Sequence, residues 1–196
     1  MKIIAGPLAL LALAARSGIR TDGQMQAIAA ICTRLDTWQQ EQHGATWWPE
    51  TITLAEARTG HTAQTRPLRP SWCYGTPGLA RAQQLAALAT GDTERLTMAE
   101  VALDACLTDP AQLARITDHS LCHGWAGLFQ TTLRAASDAP GLARHLPGLS
   151  RQLLTPGPAA PQTGVLEGDA GLALALSAAG TRQLPAVGWD AFLLLT

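Results

Sequence analysis

Residues 123–136, HGWAGLFQTTLRAA, carry a pattern that three other segments of the chain repeat. The others are IIAGPLALLALAARSG from Ile3, YGTPGLARAQQLAALATG from Tyr74 and EGDAGLALALSAAG from Glu167. In each segment, a glycine at position 6, 78, 127 or 171 is followed within two residues by leucine and then by a stretch rich in alanine and leucine. The segments from Tyr74, His123 and Glu167 have an additional glycine three positions earlier, whereas the segment from Ile3 does not. Because glycine has no Cβ atom, such an opening permits a tight turn and a close approach of the chain where a helix starts. Each segment therefore predicts a buried helix that begins at a glycine-rich turn.

The segments between these repeats are more amphipathic. Apolar residues recur every three or four positions in residues 22–43 and again in residues 93–107, a spacing typical of helices with one buried face. Loops rich in proline and glycine, residues 66–78 and 155–164, connect the helices without the features of a domain boundary. We therefore predict one all-α domain over residues 1–196, in which inner and outer helices alternate and the glycine-rich turns gather at one end.

The composition favours helices and excludes several classes of partner. The chain has 36 alanines and 30 leucines but only three valines and seven isoleucines, so helix formers greatly outnumber the residues that strands prefer. A net charge of −1 provides no basic field for nucleic acid or for an anionic membrane surface. The first 18 residues are similar to a signal peptide. Their apolar run is too short for a transmembrane helix, which needs ~20 apolar residues. Four widely spaced cysteines are typical of reduced thiols, and we expect a cytoplasmic protein.

Two cysteines and a histidine stand at the same place in successive repeats. Cys73 precedes the Tyr74-Gly75 pair, and Cys122 and His123 precede Gly124. Adjacent inner helices would bring these side chains together. Two thiolates and one imidazole form the ligand set of a zinc site that keeps one position open for substrate, and sulfur ligands favour zinc over magnesium or calcium. The alternative is that the cysteines are small buried apolar residues and that the histidine caps a helix.

The other candidate residues have simpler interpretations. Cys32 and Cys106 lie on amphipathic segments away from the glycine turns and are expected to be core thiols. The histidines outside the motif are expected at the surface or in loops; they are His43, His61, His119 and His145. His119 stands close to Cys122 in the sequence and is therefore also a candidate for contact with the ligands. The Trp47-Trp48 pair is expected to pack in the core. The alternative is that this pair and His61 cover part of the cavity. The acidic residues at the fourth turn, Glu167 and Asp169, are expected to pair with a helix dipole.

The segments SWCYGTPGLARA, LCHGWAGLFQ and GVLEGDAGLALAL resemble, in order and spacing, the signature segments of the lanthionine synthetase C family, the cyclases of lanthipeptide biosynthesis. The resemblance implies an α/α toroid of inner and outer helices, with Zn²⁺ bound at one end of a central cavity by Cys73, Cys122 and His123. The family has an arginine four residues before its first cysteine ligand and a tyrosine directly after it. Arg69 and Tyr74 occupy these positions and are the candidate catalytic residues. The alternative for Arg69 is an exposed charge in a proline-rich loop.

The activity implied by the resemblance is cyclisation of a peptide. A zinc-bound cysteine thiolate of a dehydrated precursor peptide adds to dehydroalanine or dehydrobutyrine and forms a thioether ring. The resemblance covers only the C-terminal half of the family, so we expect an incomplete part of the toroid. Lys2 and Ile3 stand where the family has a His-Gly pair whose histidine is the proposed acid, and the family's catalytic aspartate further upstream has no counterpart, which leaves the proton donor unidentified. A desolvated lysine at residue 2 is an alternative donor, although a terminal residue is expected to be frayed.

Several interpretations of this half-length resemblance remain open. The chain is a truncated cyclase, a split enzyme completed by a second chain, or a remnant, and a dehydratase is a further expected partner. A different class of function is a non-catalytic zinc-binding helical module that binds a peptide or a partner biosynthetic enzyme. A third is another thiol-activating zinc enzyme, similar in logic to the protein prenyltransferases, but that family uses a carboxylate ligand that the matching turn here lacks.

Overall fold

Helices begin at each of the four glycine-rich segments, as the repeat predicts. The computed structural model describes residues 4–155, 163–181 and 183–196. The α-helices in these ranges are α1 (Ala5–Arg16), α2 (Gln24–Asp36), α3 (Leu54–Thr59), α4 (Thr76–Thr90), α5 (Thr93–Thr108), α6 (Pro110–Leu113), α7 (Trp125–Asp138), α8 (Leu146–Leu154) and α9 (Asp169–Thr181). Two 3-10 helices, Pro140–His145 and Trp189–Leu193, and one antiparallel pair of strands, β1 (Gln40–Gln42) and β2 (Ala45–Trp47), complete the described elements. The all-α prediction is confirmed.

Local sequence signals explain where the longest helices start and stop. Helix α4 has a proline in its first turn, where its missing N–H group costs no hydrogen bond, and ends at Gly91, which adopts a left-handed backbone conformation (φ 76°). Helix α5 follows at once, capped by the Asp92 side chain, which accepts a hydrogen bond of 2.9 Å from the Arg95 backbone N–H. The short turn between them folds α5 back along α4.

The helices form an inner and an outer layer. Helix α4 packs between α1 and α7, and α7 in turn packs against α9. Helices α4 and α7 are buried on nearly all sides, whereas α2, α5 and α8 bury only one face. The alternation of inner and outer helices is therefore confirmed for α4 with α5 and for α7 with α8.

Small side chains let the inner helices approach each other closely. Ala9 and Ala12 of α1 lie in one core cluster with Ala82 and Ala86 of α4. A second cluster is centred on α7 and includes the fully buried Leu128. Alanine is the best helix former and adds little width, so these sequences both form the helices and permit their close packing.

The amphipathic segment 22–43 is helical for less of its length than expected. Helix α2 ends at Asp36, and the chain then forms the hairpin of β1 and β2. The turn of this hairpin is His43-Gly44, in which both residues have positive φ angles of 53° and 76°. Two consecutive residues of this kind are typical of a tight hairpin turn, which overrides the helical periodicity.

The Trp47-Trp48 pair is buried, with 3% and 1% exposure, and Trp48 belongs to the same core cluster as α1 and α4. These side chains pack in the core, as expected, and His61 is exposed. Of the two expected loops, residues 66–75 are irregular and lead into α4, while residues 156–162 lie outside the described residues, as do Lys2 and Ile3. No helix among the described residues is long and apolar enough to cross a membrane.

The C-terminal segment, residues 189–196, lies against the inner helices. The Trp72 indole N–H donates a hydrogen bond of 2.9 Å to the Leu193 carbonyl, and the Arg81 guanidinium of α4 donates to the Leu195 carbonyl at 3.0 Å. These bonds place the end of the chain beside the turn that precedes α4.

Candidate metal centre

The turns before α4 and α7 have the same backbone structure. In the turn before α7, the Ser120 carbonyl accepts hydrogen bonds from the N–H groups of Gly124 and Gly127, at 3.0 and 3.1 Å. The turn before α4 has the corresponding two bonds, at 3.2 and 3.3 Å, made by Ser71, Gly75 and Gly78. The repeat in the sequence is therefore a repeat in backbone conformation.

The second glycine of each turn is required by a close contact with backbone. A Cβ atom on Gly127 would overlap the carbonyl oxygen of Leu121, six residues earlier. The equivalent atom would overlap the carbonyl of Trp72 in the turn before α4, and that of Val165 in the turn before α9. No L-amino acid with a side chain fits these positions without a shift of the backbone.

Backbone hydrogen bonds join successive turns. The Cys73 N–H donates to the Cys122 carbonyl at 3.3 Å, and the Cys122 N–H donates to the Leu166 carbonyl at 2.9 Å. These bonds align the turns before α4, α7 and α9, so residues at equivalent repeat positions become neighbours in space. The turn before α9 has a leucine, Leu166, where the turns before α4 and α7 have cysteine.

The alignment brings the predicted ligands together. The Sγ atoms of Cys73 and Cys122 and a ring nitrogen of His123 all lie within 4.8 Å of one another, and the three side chains are partly buried. Within the described residues, no other group of three His, Cys, Asp or Glu side chains is close enough to hold a metal ion. Two sulfurs and one imidazole nitrogen at this spacing fit a tetrahedral zinc site.

Arg69 and Tyr74 lie next to these atoms, at the ends of the same turn. Burial and then the neighbouring Cys73 raise the pKa of Tyr74, while Arg69, which forms a hydrogen bond with the tyrosine hydroxyl, partly opposes the rise. The tyrosine hydroxyl is therefore a protonated hydrogen-bond donor at neutral pH.

One charged residue of the site, Asp118, is absent from the sequence prediction. Its Oδ2 atom lies 3.8 Å from Arg69 Nη1 and 3.4 Å from His123 Nε2. Burial raises the pKa of Asp118, but its hydrogen bonds to Ser120 and the charges of His123 and Arg69 outweigh this and hold the pKa below its usual value. The signal in the sequence is the repeat register, because Asp118 stands four residues before Cys122 as Arg69 stands four residues before Cys73.

The neighbouring histidine, His119, was the sequence-based candidate for contact with the ligands. Its Nε2 instead lies 3.0 Å from the Gln152 carbonyl on α8. The other histidines lie away from the metal-ligand group: His43 is exposed at the hairpin turn, and His145 contacts Asp104 at 2.6 Å.

The remaining cysteines have the environment expected of core thiols. Cys32 and Cys106 are 6% and 2% exposed, and burial raises the pKa of each. None of the four cysteines, all of which are described, forms a disulfide. At the turn before α9, Asp169 lies in the first turn of the helix, where a negative charge interacts favourably with the helix dipole, and Glu167 is exposed.

A cavity of about 300 Å³ reaches Cys73, one of the three candidate ligands. Cys73 and Trp72 line it on one side, α1 lines it on another, and the C-terminal segment lines a third. Most of the lining is apolar, so the space beside Cys73 suits apolar groups.

Comparisons with known proteins agree with this architecture. Residues 4–145 match the family described as lanthionine synthetase C-like protein. The structure is similar to that of nisin cyclase, with a TM-score of 0.79 and 23% sequence identity over 98% of this chain and 48% of the nisin cyclase chain. A search of curated protein sequences finds no match to this chain.

The structural match confirms the predicted fold, an incomplete part of an α/α toroid, and this chain spans about half the length of the nisin cyclase chain. The family match extends from α1, through both cysteine-bearing turns, to the end of the 3-10 helix that follows α7. The chain therefore belongs to the lanthionine synthetase C-like family.

Proposed function

We propose that this chain is a zinc-dependent lanthionine cyclase domain that forms thioether rings in a dehydrated precursor peptide. The observation that carries the proposal is the meeting of Cys73 Sγ, Cys122 Sγ and a ring nitrogen of His123 within 4.8 Å, beside a cavity that Cys73 lines. Membership of the lanthionine synthetase C-like family supports the same function. We further propose that residues 1–196 act as one domain.

The donor set suits zinc on chemical grounds. Cys73, Cys122 and His123 would be the protein ligands, and thiolate sulfur favours zinc over magnesium or calcium. When bound, zinc would remove the proton from a peptide cysteine, whose thiol otherwise titrates near ~8.5, and so supply a thiolate nucleophile at neutral pH.

The proposed reaction is an addition in which no atom is lost. The peptide thiolate sulfur forms a bond to the β-carbon of dehydroalanine or dehydrobutyrine, and the electron pair of the double bond moves toward the adjacent carbonyl as an enolate. A proton then adds to the α-carbon and the thioether ring is complete. We propose that the Arg69 guanidinium stabilises the developing enolate charge and that the Tyr74 hydroxyl donates a hydrogen bond to the same oxygen.

The partners follow from this chemistry. The substrate is a precursor peptide that already contains dehydrated serine or threonine, so a dehydratase must act before this protein. We also propose that the protein works in the cytoplasm, where thiols remain reduced.

Metal analysis tests the ligand assignment. We expect one zinc per purified chain, a substantial loss of zinc in Cys73→Ala and in Cys122→Ala, and full occupancy in Cys32→Ala, which removes a thiol outside the site. Removal of one ligand leaves too few protein donors for tight binding. The assignment would be contradicted if the wild-type chain contained no zinc, or if Cys73→Ala and Cys122→Ala each kept the full amount of zinc.

Activity needs a separate assay because the addition does not change the mass of the peptide. We would incubate a peptide that contains cysteine and dehydroalanine with the protein, then alkylate the remaining thiols and count the unlabelled product by mass spectrometry. We expect Arg69→Ala to lower the cyclisation rate about 100-fold or more, the size of effect seen when one charge-stabilising group is removed. Arg58→Ala, an exposed arginine on α3, should leave the rate unchanged.

The same assay separates the cyclase from the non-catalytic alternative. A wild-type protein that binds zinc and the peptide but does not raise the rate above that of the peptide alone would contradict the cyclase proposal. It would instead favour a zinc-binding module that holds a peptide or a partner enzyme.

A further inference from the structure

Asp118 is placed at the candidate metal centre by the repeat itself. It lies four residues before Cys122, as Arg69 lies four residues before Cys73. Because backbone hydrogen bonds align the two turns, these side chains meet, with 3.8 Å between Arg69 Nη1 and Asp118 Oδ2. Equivalent positions of consecutive repeats thus carry a cation and an anion that pair across the turns.

The carboxylate is fixed to the turn that carries His123. Its Oδ2 lies 3.4 Å from His123 Nε2, and its Oδ1 accepts a hydrogen bond of 2.8 Å from the Ser120 backbone N–H. Gly124 leaves room for it, because a Cβ atom at that position would overlap Asp118 Oδ1. The Ser120 hydroxyl in turn accepts a hydrogen bond of 3.2 Å from the His123 backbone N–H. Contacts with the backbone therefore hold the carboxylate on the turn that carries His123.

A histidine that binds a metal through one ring nitrogen usually donates its other ring N–H to a carboxylate, a backbone carbonyl or a water molecule, which fixes the tautomer and the orientation of the ring and increases its basicity. We propose that Asp118 is the positioning residue of this site: its carboxylate accepts the Nε2–H of His123 and so leaves Nδ1 for the metal ion. This inference rests on the proposed zinc site. Through its second contact, Asp118 also holds the Arg69 guanidinium next to that site.

Asp118 acts through the imidazole and not as a ligand itself. The group of donor atoms within 4.8 Å of one another contains the two sulfurs and the His123 nitrogen, but no oxygen of Asp118. A second carboxylate–imidazole contact in the described part of the chain, Asp104 Oδ1 to His145 Nε2 at 2.6 Å, lies outside the metal-ligand group and provides a matched control.

The test measures zinc affinity by competition with a chromogenic chelator, for the wild type and for Asp118→Asn, Asp118→Ser and Asp104→Asn. The asparagine and serine variants retain a side-chain oxygen for the Ser120 N–H group but lose the carboxylate charge. We expect zinc affinity to fall about 10- to 100-fold in both Asp118 variants and to stay unchanged in Asp104→Asn. Far-UV circular dichroism should be the same for all four proteins.

Cobalt substitution supplies a readout that a general loss of stability would not produce. In the Asp118 variants at saturating Co²⁺, we expect the thiolate-to-cobalt bands to persist and the d–d bands to shift, because the two sulfurs remain bound while the imidazole is no longer oriented. Wild-type zinc affinity in both Asp118 variants, or unshifted d–d bands, would overturn the inference. Failure of the wild-type chain to bind zinc would instead overturn the proposed function.

Discussion

At residue scale, the second glycine of the turns before α4, α7 and α9 is required because a single added carbon atom would not fit. A Cβ atom on Gly127 would overlap the Leu121 carbonyl oxygen, which belongs to the backbone of the turn and cannot rotate away. The same turn carries Cys122, so the requirement for glycine and the position of the ligand have one cause. Gly180, in helix α9, provides the contrast, because a Cβ atom added there would meet no atom within 4 Å.

We predict opposite effects of alanine at these two positions. Gly127→Ala should lower the free energy of unfolding by about 1–3 kcal/mol, because the backbone must shift to admit the methyl group. Gly180→Ala should raise it by up to about 1 kcal/mol, because alanine loses less backbone entropy in a helix. Urea unfolding followed by circular dichroism measures both. If the two substitutions changed the free energy of unfolding equally, the backbone contact would not be the reason for glycine at position 127.

At the scale of elements, a buried ion pair fixes the C-terminal segment to α7. Asp190 is completely buried, and its Oδ2 accepts hydrogen bonds from Arg134 Nε at 2.6 Å and from Gln130 Nε2 at 2.5 Å. Both partners belong to α7 and are buried. The segment that forms one wall of the cavity beside Cys73 is thus held in place by charge and not only by apolar contact.

We predict that Asp190→Ala lowers the free energy of unfolding by about 3–5 kcal/mol, because it leaves the Arg134 guanidinium buried without its counter-ion. The control is Asp36→Ala, which removes a carboxylate that is 44% exposed and pairs with Arg95 at 2.7 Å. Its cost should be below about 1 kcal/mol, since exposed ion pairs contribute little. Urea titrations of both variants at one zinc concentration give the comparison, and a similar loss in the two would contradict this role for Asp190.

The same scale shows which parts of the molecule a sequence can predict. The sequence repeat predicts the inner helices. It also predicts that Cys73 lies near Cys122, because equivalent positions of stacked repeats become neighbours. The hairpin after α2 does not follow from the sequence pattern, because its turn uses a positive φ angle at His43, a conformation that is uncommon for residues other than glycine. Nor does the Asp190 pair, because it joins residues 56 positions apart that belong to no common repeat.

At the scale of the whole molecule, one carboxylate joins three inner helices. Asp138, the last residue of α7, lies 2.8 Å from Arg16 at the end of α1 and 2.8 Å from Arg81 of α4. Arg81 is almost completely buried, and burial lowers its pKa to about 10. Burial also raises the pKa of Asp138, but the hydrogen bonds and charges of the two arginines outweigh it, so the pKa lies below its usual value.

This shift predicts how the contribution of Asp138 depends on pH. A carboxyl group whose pKa is lowered by folding stabilises the native state above its unfolded pKa of about 3.9, and this contribution is lost as the pH falls through the folded value. Asp138→Asn should therefore lower the free energy of unfolding by about 1–3 kcal/mol at pH 7, and the difference from the wild type should shrink as the pH falls below about 4. Urea titrations between pH 3 and pH 7 measure the difference, with Asp22→Asn, an exposed carboxylate after α1, as the control that should show little change at any pH. A difference that stays constant over this range would mean that Asp138 joins the helices by shape and hydrogen bonding alone, without the contribution of its charge.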